Sequence, residues 1–402
     1  MPGTERRAGS RGPAPRNRLL VPGIAAAGVL LITIGLVVSL SGGGGNGKNT
    51  TGTAESSTLG RADVRPSAAT ATSAAATVSP TPSPAPADAC VTGKRLAAQA
   101  PTAVWITVAG VRRGYLLAVP AAVRTASSLP VIVNFHGYHQ NAGAQESYTH
   151  LSVSGTAAGY IVMTPLGVNG QWNFVRRAAV GPDDVTFITQ ALDGLASQTC
   201  VNKARVFLTG LSDGADMAVA LACADPSRFA AVVPVAASVV PASCGASPPS
   251  LLEIHGTSDP VVPYTGGGAD RPAPFQGTRP QAAKDRTARY ASYAGCGGGA
   301  SWRASEVGTR LLGYAGCASG VDVGLLAVTG GGHTWPGAAP QPSLGATATS
   351  FSANQLMLTY FQFHPRAGVT QPTAASPTPS VAPAAGSNLL GGVAGSLAGG
   401  SG

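Results

Sequence analysis

Between residues 90 and 365 the chain alternates apolar runs of strand length with stretches that have helical spacing. Several runs, such as 131–135 and 205–209, are apolar almost throughout, as expected for strands covered on both faces. The predicted strands are 104–109, 114–119, 131–135, 160–164, 205–209, 231–236, 250–254 and 323–328. The predicted helices are 184–197, with Asp183 as its N-cap, 213–224, 281–293 and 350–362. This alternation predicts one α/β domain with a mostly parallel sheet.

An apolar segment precedes this domain. Residues 1–18 contain five arginines and one acidic residue, and no charged residue occurs from Leu19 to Leu40. A helix of that length can cross a hydrocarbon core of about 30 Å, and the arginines are expected to hold their end in the cytoplasm. We therefore predict a basic cytoplasmic segment at 1–18 and an uncleaved transmembrane signal-anchor at 19–40. A cleaved signal peptide is the alternative.

Two further segments have compositions that do not favour a packed core. Residues 41–88 are rich in Gly, Ser, Thr, Ala and Pro, and residues 366–402 have the same character. Too few apolar side chains are present there to offset the entropy of ordering the chain. We predict a disordered linker at 41–88 and a disordered tail at 366–402, on either side of a single folded domain at 89–365.

The formal charge of +9 is spread along the chain rather than concentrated. Residues 89–365 contain seventeen basic and thirteen acidic side chains, a net charge of +4. The basic residues are not clustered with aromatic ones, as nucleic-acid binding would require. We therefore expect no nucleic-acid partner, contact with a membrane only through the N-terminal helix, and a monomer.

All six cysteines follow the predicted membrane segment, and an even number in an exported domain indicates disulfides. Six cysteines allow fifteen pairings. Cys296 and Cys317 flank one short segment and are predicted to pair; the next prediction is Cys223 with Cys244 and then, by elimination, Cys90 with Cys200. No C-x-x-C or His-rich spacing indicates zinc, so no metal site is predicted.

A pentapeptide with the pattern G-x-S-x-G lies where a predicted strand meets a predicted helix. Ser212 is at its centre, between Gly210 and Gly214. A serine hydroxyl is a weak nucleophile at neutral pH and needs an adjacent base and an exposed position. The two glycines permit a sharp turn, and the strand-to-helix setting distinguishes this serine from one in an ordinary Gly-Ser turn. We therefore predict Ser212 as the nucleophile of an α/β-hydrolase.

Chain order selects the partners of Ser212, because in α/β-hydrolases the acid follows the serine and the histidine follows the acid. The predicted base is His333, in a glycine loop after the last predicted strand, whereas His364 is interpreted as a surface residue. The predicted acid is Asp259, five residues beyond the strand at 250–254, where it would hold the tautomer of His333. The alternative acids are Asp270, Asp285 and Asp322.

An acyl-transfer site also needs two backbone amides that stabilise the oxyanion. We predict the amide of Asp213, directly after the nucleophile, and that of Tyr138, in the loop after the strand at 131–135. His136, in the same loop, is expected to organise the loop rather than to act as a base. The residues expected to contact substrate are Trp172, Trp335 and His136.

Ordered motifs across 131–337 resemble the esterase family that groups polyhydroxybutyrate depolymerases with feruloyl and acetyl-xylan esterases. The resemblance rests on His136-Gly137, Trp172-Asn173, Asp183-Asp184-Val185, Gly210-Leu211-Ser212, His255-Gly256-Thr257-Ser258-Asp259, Val262-Pro263-Tyr264 and Gly331-Gly332-His333-Thr334-Trp335-Pro336-Gly337. It implies secreted hydrolysis of short-chain or aromatic esters, often attached to polymers, without a cofactor. It also supports the roles assigned above to Ser212, Asp259 and His333.

Two features depart from the pattern of this family. Asp213 stands where such enzymes often carry Asn or Ala, and Asp216 lies one helical turn from Ser212. Both carboxylates suit a helix N-terminus, but they place negative charge near the developing oxyanion. We therefore predict a preference for neutral esters and a lower rate than with asparagine after the nucleophile. In addition, no separate polymer-binding domain follows the catalytic unit, so efficient attack on solid polyester is not expected.

The sequence thus predicts an exported serine esterase similar to polyhydroxybutyrate depolymerases. The alternative within the enzymes is a feruloyl or acetyl-xylan esterase that acts on plant polysaccharide esters. The alternative of another class is a non-catalytic, wall-tethered binding protein, whose expected signature is a damaged triad. The sequence shows no such damage at Ser212, Asp259 or His333.

Overall fold

The computed structural model describes residues 88–366 except 269, 271–274, 276–277 and 305–307. Among these residues the strands are β1 (Gln99–Val108), β2 (Val111–Val119), β3 (Leu129–Phe135), β4 (Ile161–Pro165), β5 (Val201–Leu211), β6 (Ala231–Val235), β7 (Ser250–Gly256), β8 (Ala300–Ala304), β9 (Thr309–Tyr314) and β10 (Val323–Val328). The α-helices are α1 (Ala89–Thr92), α2 (Ala142–Thr149), α3 (Leu151–Ala157), α4 (Asp184–Ala196), α5 (Asp213–Ala224), α6 (Ala283–Tyr293) and α7 (Ala353–Phe363). All eight predicted strands and all four predicted helices are confirmed, with small shifts of their ends.

The strands form a single sheet in the order β1-β2-β4-β3-β5-β6-β7-β10-β9-β8. The six central strands, from β4 to β10 in the sheet order, run parallel to one another, whereas β1, β2, β8 and β9 pair antiparallel at the two edges. This confirms an α/β fold with a mostly parallel sheet. The carboxyl ends of the central strands therefore meet at one edge, where ligands bind in open α/β sheets.

Alternate residues of the central strands enter two different cores. On β3, Val131 and Val133 belong to the core that also contains Phe187 of α4. Ile132, between them, belongs to the second core with Phe361 of α7. Helices therefore cover both faces of the sheet, which explains why these strands are apolar almost throughout.

Local signals explain which elements were predicted and which were missed. The Asp183 carboxylate accepts the amides of Val185 and Thr186, so it is the predicted N-cap of α4. The helix α2 was missed because most of its buried positions are polar, including Gln145 and Glu146. The strand β8 was missed because four of its five residues are exposed, so it carries no alternation of apolar and polar positions.

Three disulfides join the pairs Cys90–Cys200, Cys223–Cys244 and Cys296–Cys317, so all three predicted pairings are confirmed. Within the described part of the chain, no helix is long and apolar enough to span a bilayer. The predicted anchor at 19–40 lies outside the described residues, as do the basic segment, the linker up to residue 87 and the tail from residue 367.

Candidate active site

Ser212 joins β5 to α5 in a strained backbone conformation. Its φ and ψ are 58° and −120°, and such a conformation costs a non-glycine residue of order 1–3 kcal/mol. A β-carbon on Gly210 would lie 2.6 Å from the backbone of Gly214, and one on Gly214 would lie 2.3 Å from the carbonyl oxygen of Phe135. Close packing therefore requires both glycines. The turn holds a half-buried serine at the carboxyl edge of the sheet, as expected of a nucleophile elbow.

Asp259 and His333 come together from the loops that follow β7 and β10. The Nδ1 atom of His333 lies 2.7 Å from Oδ2 of Asp259. The other carboxylate oxygen, Oδ1, accepts the amides of Val261 and Val262, each at 2.8 Å. Both side chains are buried. The turn at 259–262 thus orients the carboxylate towards the imidazole.

The charge state of Asp259 suits this contact. Burial raises the pKa of its carboxyl, but the hydrogen bond and charge of His333 and the amide of Val262 lower the pKa by more, so the net pKa lies below its ordinary value of 3.8. Asp259 is therefore ionised at neutral pH, where it can stabilise an imidazolium. Two alternative acids have other partners, since Asp322 bonds to His364 and Asp270 pairs with Arg279.

The three predicted catalytic residues follow β5, β7 and β10, which run parallel with β6 between the first two. They therefore share one edge of the sheet. Within the described residues the hydroxyl of Ser212 makes no hydrogen bond, and His333 uses Nδ1 for Asp259. Catalytic hydrogen bonds are often long before substrate binds. The structure thus brings acid and base into contact and places the serine on the same edge.

The loop at 136–141 lies beside the nucleophile. A β-carbon on Gly137 would be 3.7 Å from Cβ of Ser212. The amide of His139 donates to Gly170 and that of Gln140 to Gly137, whereas the amide of Tyr138 donates to no group in the described part of the chain. Asp213 is the first residue of α5, directly after Ser212. The assignment of these two amides to an oxyanion hole stays a prediction.

His136 joins two loops through both of its ring nitrogens. It is fully buried, its Nε2 accepts the amide of Gly167 at 3.0 Å, and its Nδ1–H donates to the carbonyl of Gly137 at 2.8 Å. Burial lowers the pKa of His136 to about 4, although the bond to Gly137 acts in the opposite direction. The imidazole is therefore neutral at neutral pH. It bonds to the loop as expected, and its predicted contact with substrate stays a prediction.

The two tryptophans predicted to contact substrate are also core residues. Trp172 is 0% exposed and donates its indole N–H to the carbonyl of His136 at 2.8 Å. Trp335 is 1% exposed and donates to Oδ1 of Asn354 at 2.9 Å. Neither ring presents a face to solvent, and their predicted contact with substrate stays a prediction. Position in a loop near the site did not reveal that these side chains turn inward.

The carboxylates of Asp213 and Asp216 fasten α5 to neighbouring loops. Oδ2 of Asp213 accepts the amide of Trp172 at 3.0 Å. Asp216 accepts the amides of Ser238 and Val239 at 2.7 and 3.0 Å, and also the hydroxyl of Ser238. Both side chains are buried. These bonds explain why carboxylates occupy the first turn of the nucleophile helix, a role that the sequence did not indicate.

The comparison with known proteins agrees with this site. The family model described as esterase PHB depolymerase matches residues 113–264, which include Ser212 and Asp259. A protein of Nocardia uniformis subsp. tsuyamanensis described as an esterase, NocK, is 32% identical over 266 residues, covering 61% of this chain and 77% of NocK. The chain belongs to the PHB depolymerase family of esterases. It is therefore a carboxylic ester hydrolase.

Other similarities of this esterase are more limited. Feruloyl esterase B of Piromyces equi is 28% identical over 235 residues, covering 55% of this chain and 42% of that protein. The chain thus spans less than half the length of that relative. Among solved structures, an acetyl xylan esterase from Aspergillus awamori has a TM-score of 0.44 and 17% identity, covering 58% of this chain and 94% of that one.

A cleft of about 680 Å³ runs along the nucleophile helix of the esterase. Asp216, Ala220 and Cys223 line it on α5, at one, two and three turns beyond Ser212. The loop at 239–245 forms another wall, and its disulfide to Cys223 closes the far end. The remaining lining residues are Phe174, Val175, Arg176, Arg177, Ala224, Thr278, Arg279 and Gln281. Ligand pockets commonly enclose about 300–1,000 Å³, and the cleft has such a volume; Ser212, Asp259 and His333 are not among the residues that line it.

The described residues hold no cluster of three or more His, Cys, Asp or Glu side chains that could bind a metal ion. Two histidines of the esterase, His136 and His255, instead use both ring nitrogens for protein groups.

Proposed function

We propose that this esterase hydrolyses its substrate through an acyl-enzyme on Ser212. His333 acts as the general base and acid, Asp259 orients and stabilises its imidazolium, and the amides of Asp213 and Tyr138 bind the oxyanion. The observation that carries the proposal is the 2.7 Å contact between Asp259 and His333 at the edge of the sheet where Ser212 stands in its strained turn.

The contact between Asp259 and His333 determines the direction of proton transfer. With its proton on Nδ1, His333 leaves Nε2 free to take the proton of the Ser212 hydroxyl as Oγ attacks the ester carbonyl carbon. The carbonyl oxygen becomes the oxyanion. Collapse of this intermediate breaks the bond to the alcohol, which leaves with the proton from Nε2. Water then repeats the sequence on the acyl-serine, releases the acid and restores the hydroxyl.

The proposed substrates are esters attached to polymers, with hydroxybutyrate oligomers as the first candidate. The cleft along α5 supports this proposal, because it lies between Asp216, one helical turn beyond Ser212, and Cys223, and its volume can hold more than one small acyl group. We place the alcohol side of a chain-like substrate in this cleft. Ala220, Val239 and Val240 suit the hydrocarbon part of such a chain, and the charged groups of Asp216, Arg176, Arg177 and Arg279 line the rest of the cleft.

Feruloyl ester hydrolysis is the second candidate, favoured by an aromatic group at the near end of the cleft. Phe174 stacks on Phe275 with ring centroids 5.0 Å apart, and Phe275 meets Tyr138 edge-on at 6.0 Å. Tyr138 is half-buried and supplies the proposed oxyanion amide. An aromatic acyl group held near that amide would lie against these rings. The similarity to feruloyl esterase B of Piromyces equi is in keeping with this candidate.

We also propose that the enzyme is exported and acts as an extracellular monomer, held by an anchor at 19–40 or released by cleavage there. Three disulfides in the described domain support export, because such bonds persist in oxidising compartments. The mass of the exported protein distinguishes the two alternatives, since cleavage removes residues 1–40 or most of them.

Covalent labelling with a fluorophosphonate probe tests the nucleophile. The wild-type enzyme should be labelled, and Ser212→Ala should not. Ser227→Ala is the matched control, because Ser227 is exposed and precedes β6, at the opposite edge of the sheet; its labelling should equal that of the wild type. A folded wild-type chain that resists the probe would support a non-catalytic binding protein, and label retained by Ser212→Ala would assign another nucleophile.

A substrate panel tests the ester class. Rates on p-nitrophenyl acetate and butyrate, methyl ferulate and hydroxybutyrate trimers are compared at equal enzyme concentration. A higher kcat/KM on the trimers than on methyl ferulate supports the first candidate, and the reverse order supports the second.

A further inference from the structure

A buried polar network adjoins the proposed catalytic acid. Glu253 and His255 lie on β7 and Arg286 lies on α6, and each is at most 2% exposed. Arg286 donates from Nε to Oε1 of Glu253 at 2.8 Å, and its Nη2 contacts both that oxygen and, at 2.6 Å, Nδ1 of His255. The hydroxyl of Thr287 donates to the second oxygen of Glu253 at 3.0 Å. The carboxylate and the guanidinium thus compensate each other in the core.

The arginine determines which nitrogen of His255 carries the proton. A guanidinium is a donor only, so Nδ1 of His255 must be the acceptor and the ring proton must be on Nε2. That nitrogen lies 2.9 Å from the carbonyl of Val262, to which it donates. It also lies 3.5 Å from Oδ2 of Asp259. Both nitrogens of the imidazole are therefore held, and its orientation is determined by the network.

The bond from His255 reaches the turn that aims the catalytic carboxylate. Val262 accepts from His255 with its carbonyl and donates to Oδ1 of Asp259 with its amide. A movement of Val262 would therefore turn the carboxylate, whose other oxygen faces His333. A displacement of about 1 Å in a catalytic group can cost roughly 100-fold in rate.

We propose that His255 is a positioning residue for ester hydrolysis. The Glu253–Arg286 pair fixes the orientation of the His255 ring, and the bond from His255 to Val262 fixes the turn at 259–262. The carboxylate of Asp259 therefore stays directed at His333. This inference rests on the proposed role of Asp259 as the catalytic acid. His255 itself does not touch the reacting atoms; it acts through Val262 and Asp259.

Two conservative variants separate positioning from simple support of the fold. In His255→Gln the amide nitrogen can reach the carbonyl of Val262, as Nε2 does. In His255→Asn the shorter side chain places its amide near the position of Nδ1, beside Arg286. The carbonyl of Val262 then receives no hydrogen bond from residue 255. We expect His255→Asn to lower kcat on p-nitrophenyl acetate about 10- to 100-fold with KM changed by less than about twofold. His255→Gln should keep kcat within about threefold of the wild type.

The control is His364, which is buried rather than at the surface as its sequence position had indicated, and which also has a carbonyl and a carboxylate as partners. His364 bonds to the carbonyl of Tyr360 and to Asp322, and Asp322 precedes β10, at the edge of the sheet opposite His333. His364→Asn should lower the Tm while leaving kcat unchanged. The Tm of every variant shows how much of each loss is due to unfolding at the assay temperature.

A double-mutant cycle with Asp259→Asn tests whether His255 acts through Asp259. If His255 acts through Asp259, His255→Asn should change kcat by less than about twofold once Asp259 is already Asn. An equal loss in both backgrounds would overturn the proposal, as would equal activity of the Gln and Asn variants at equal Tm. If Asp259→Asn alone leaves kcat unchanged, Asp259 is not the catalytic acid, and the proposed mechanism is wrong. That result differs from an equal effect of His255→Asn in both backgrounds, which contradicts only the positioning role of His255.

Discussion

A methyl group added to Gly214 would collide with the backbone beside the nucleophile. An ideal β-carbon there lies 2.3 Å from the carbonyl oxygen of Phe135 and 2.5 Å from that of His136. Real β-carbons essentially never approach heavy atoms closer than 3.0 Å, so both carbonyl groups or the start of α5 must move by more than half an ångström. No flexible side chain is available to yield instead.

The loss of stability in Gly214→Ala can be estimated from the backbone groups that must move. Overpacking a tightly packed site costs about 1–3 kcal/mol, and backbone obstacles place this variant at the upper end, about 3 kcal/mol. At roughly 2–4 °C per kcal/mol for a domain of this size, the Tm should fall by roughly 6–12 °C. The same shift would displace the loop that carries the amide of Tyr138, so kcat/KM should fall about 100-fold.

The matched control is Gly194→Ala, near the end of α4. A β-carbon on Gly194 meets nothing within 4 Å, and alanine favours a helix by roughly 0.5–1 kcal/mol over glycine. Scanning calorimetry and rates on p-nitrophenyl butyrate at 20 °C should show a higher Tm and unchanged kcat/KM for this control. If Gly214→Ala keeps both the Tm and the kcat/KM of the wild type, the steric argument for the elbow is wrong.

Three further predictions concern charge, pH and covalent cross-links. Asp213→Asn keeps an acceptor for the amide of Trp172 and removes a negative charge near the oxyanion, so kcat/KM on a neutral p-nitrophenyl ester should rise several-fold; no change or a decrease contradicts this. Because the pKa of His136 is about 4 in the folded chain against an ordinary 6.5, unfolded chains bind a proton between these values that folded chains do not. Its contribution to stability is nearly complete at pH 7, falls as the pH drops from 6.5 to 4 and changes no further below 4, so urea unfolding should show a loss of about 2 kcal/mol at pH 5 relative to pH 7; equal stability at both values excludes this. Replacing Cys223 and Cys244 by alanine removes a cross-link over 21 residues and should lower the free energy of unfolding by about 3 kcal/mol, measured by the same titration; an unchanged value would show that the link does not restrain the unfolded chain.

Hydrophobic pattern predicted the centre of the fold better than its edges. Strands such as β3 and β5 are buried on both faces, so their apolar runs are unmistakable. The edge strand β8 is mostly exposed, and α2 packs Gln145 and Glu146 inward against Asn134. Elements that are exposed, or whose buried side chains are polar and bonded to one another, carry no periodic apolar signal. They could be found only in three dimensions.

The site was predictable where chain order and local chemistry act together. Asp259 and His333 were placed by the strands that precede them, and their contact is confirmed. The inward orientation of Trp172 and Trp335 was not predicted, because the direction in which a loop side chain points depends on partners distant in sequence, such as Asn354 for Trp335. The role of His255 was hidden for the same reason, since its orientation depends on Arg286, on another element.

The disulfide Cys90–Cys200 has a consequence for how the enzyme faces its surroundings. It fastens the beginning of the described domain to the start of β5, and near the other end the amide of Arg366 donates to Ala204 on the same strand. β5 is eleven residues long and spans roughly 30 Å, and Ser212 directly follows its other end. Both ends of the domain therefore leave from the side remote from the nucleophile. Any group attached at either end therefore lies on the side of the domain remote from Ser212 and leaves the reactive edge accessible.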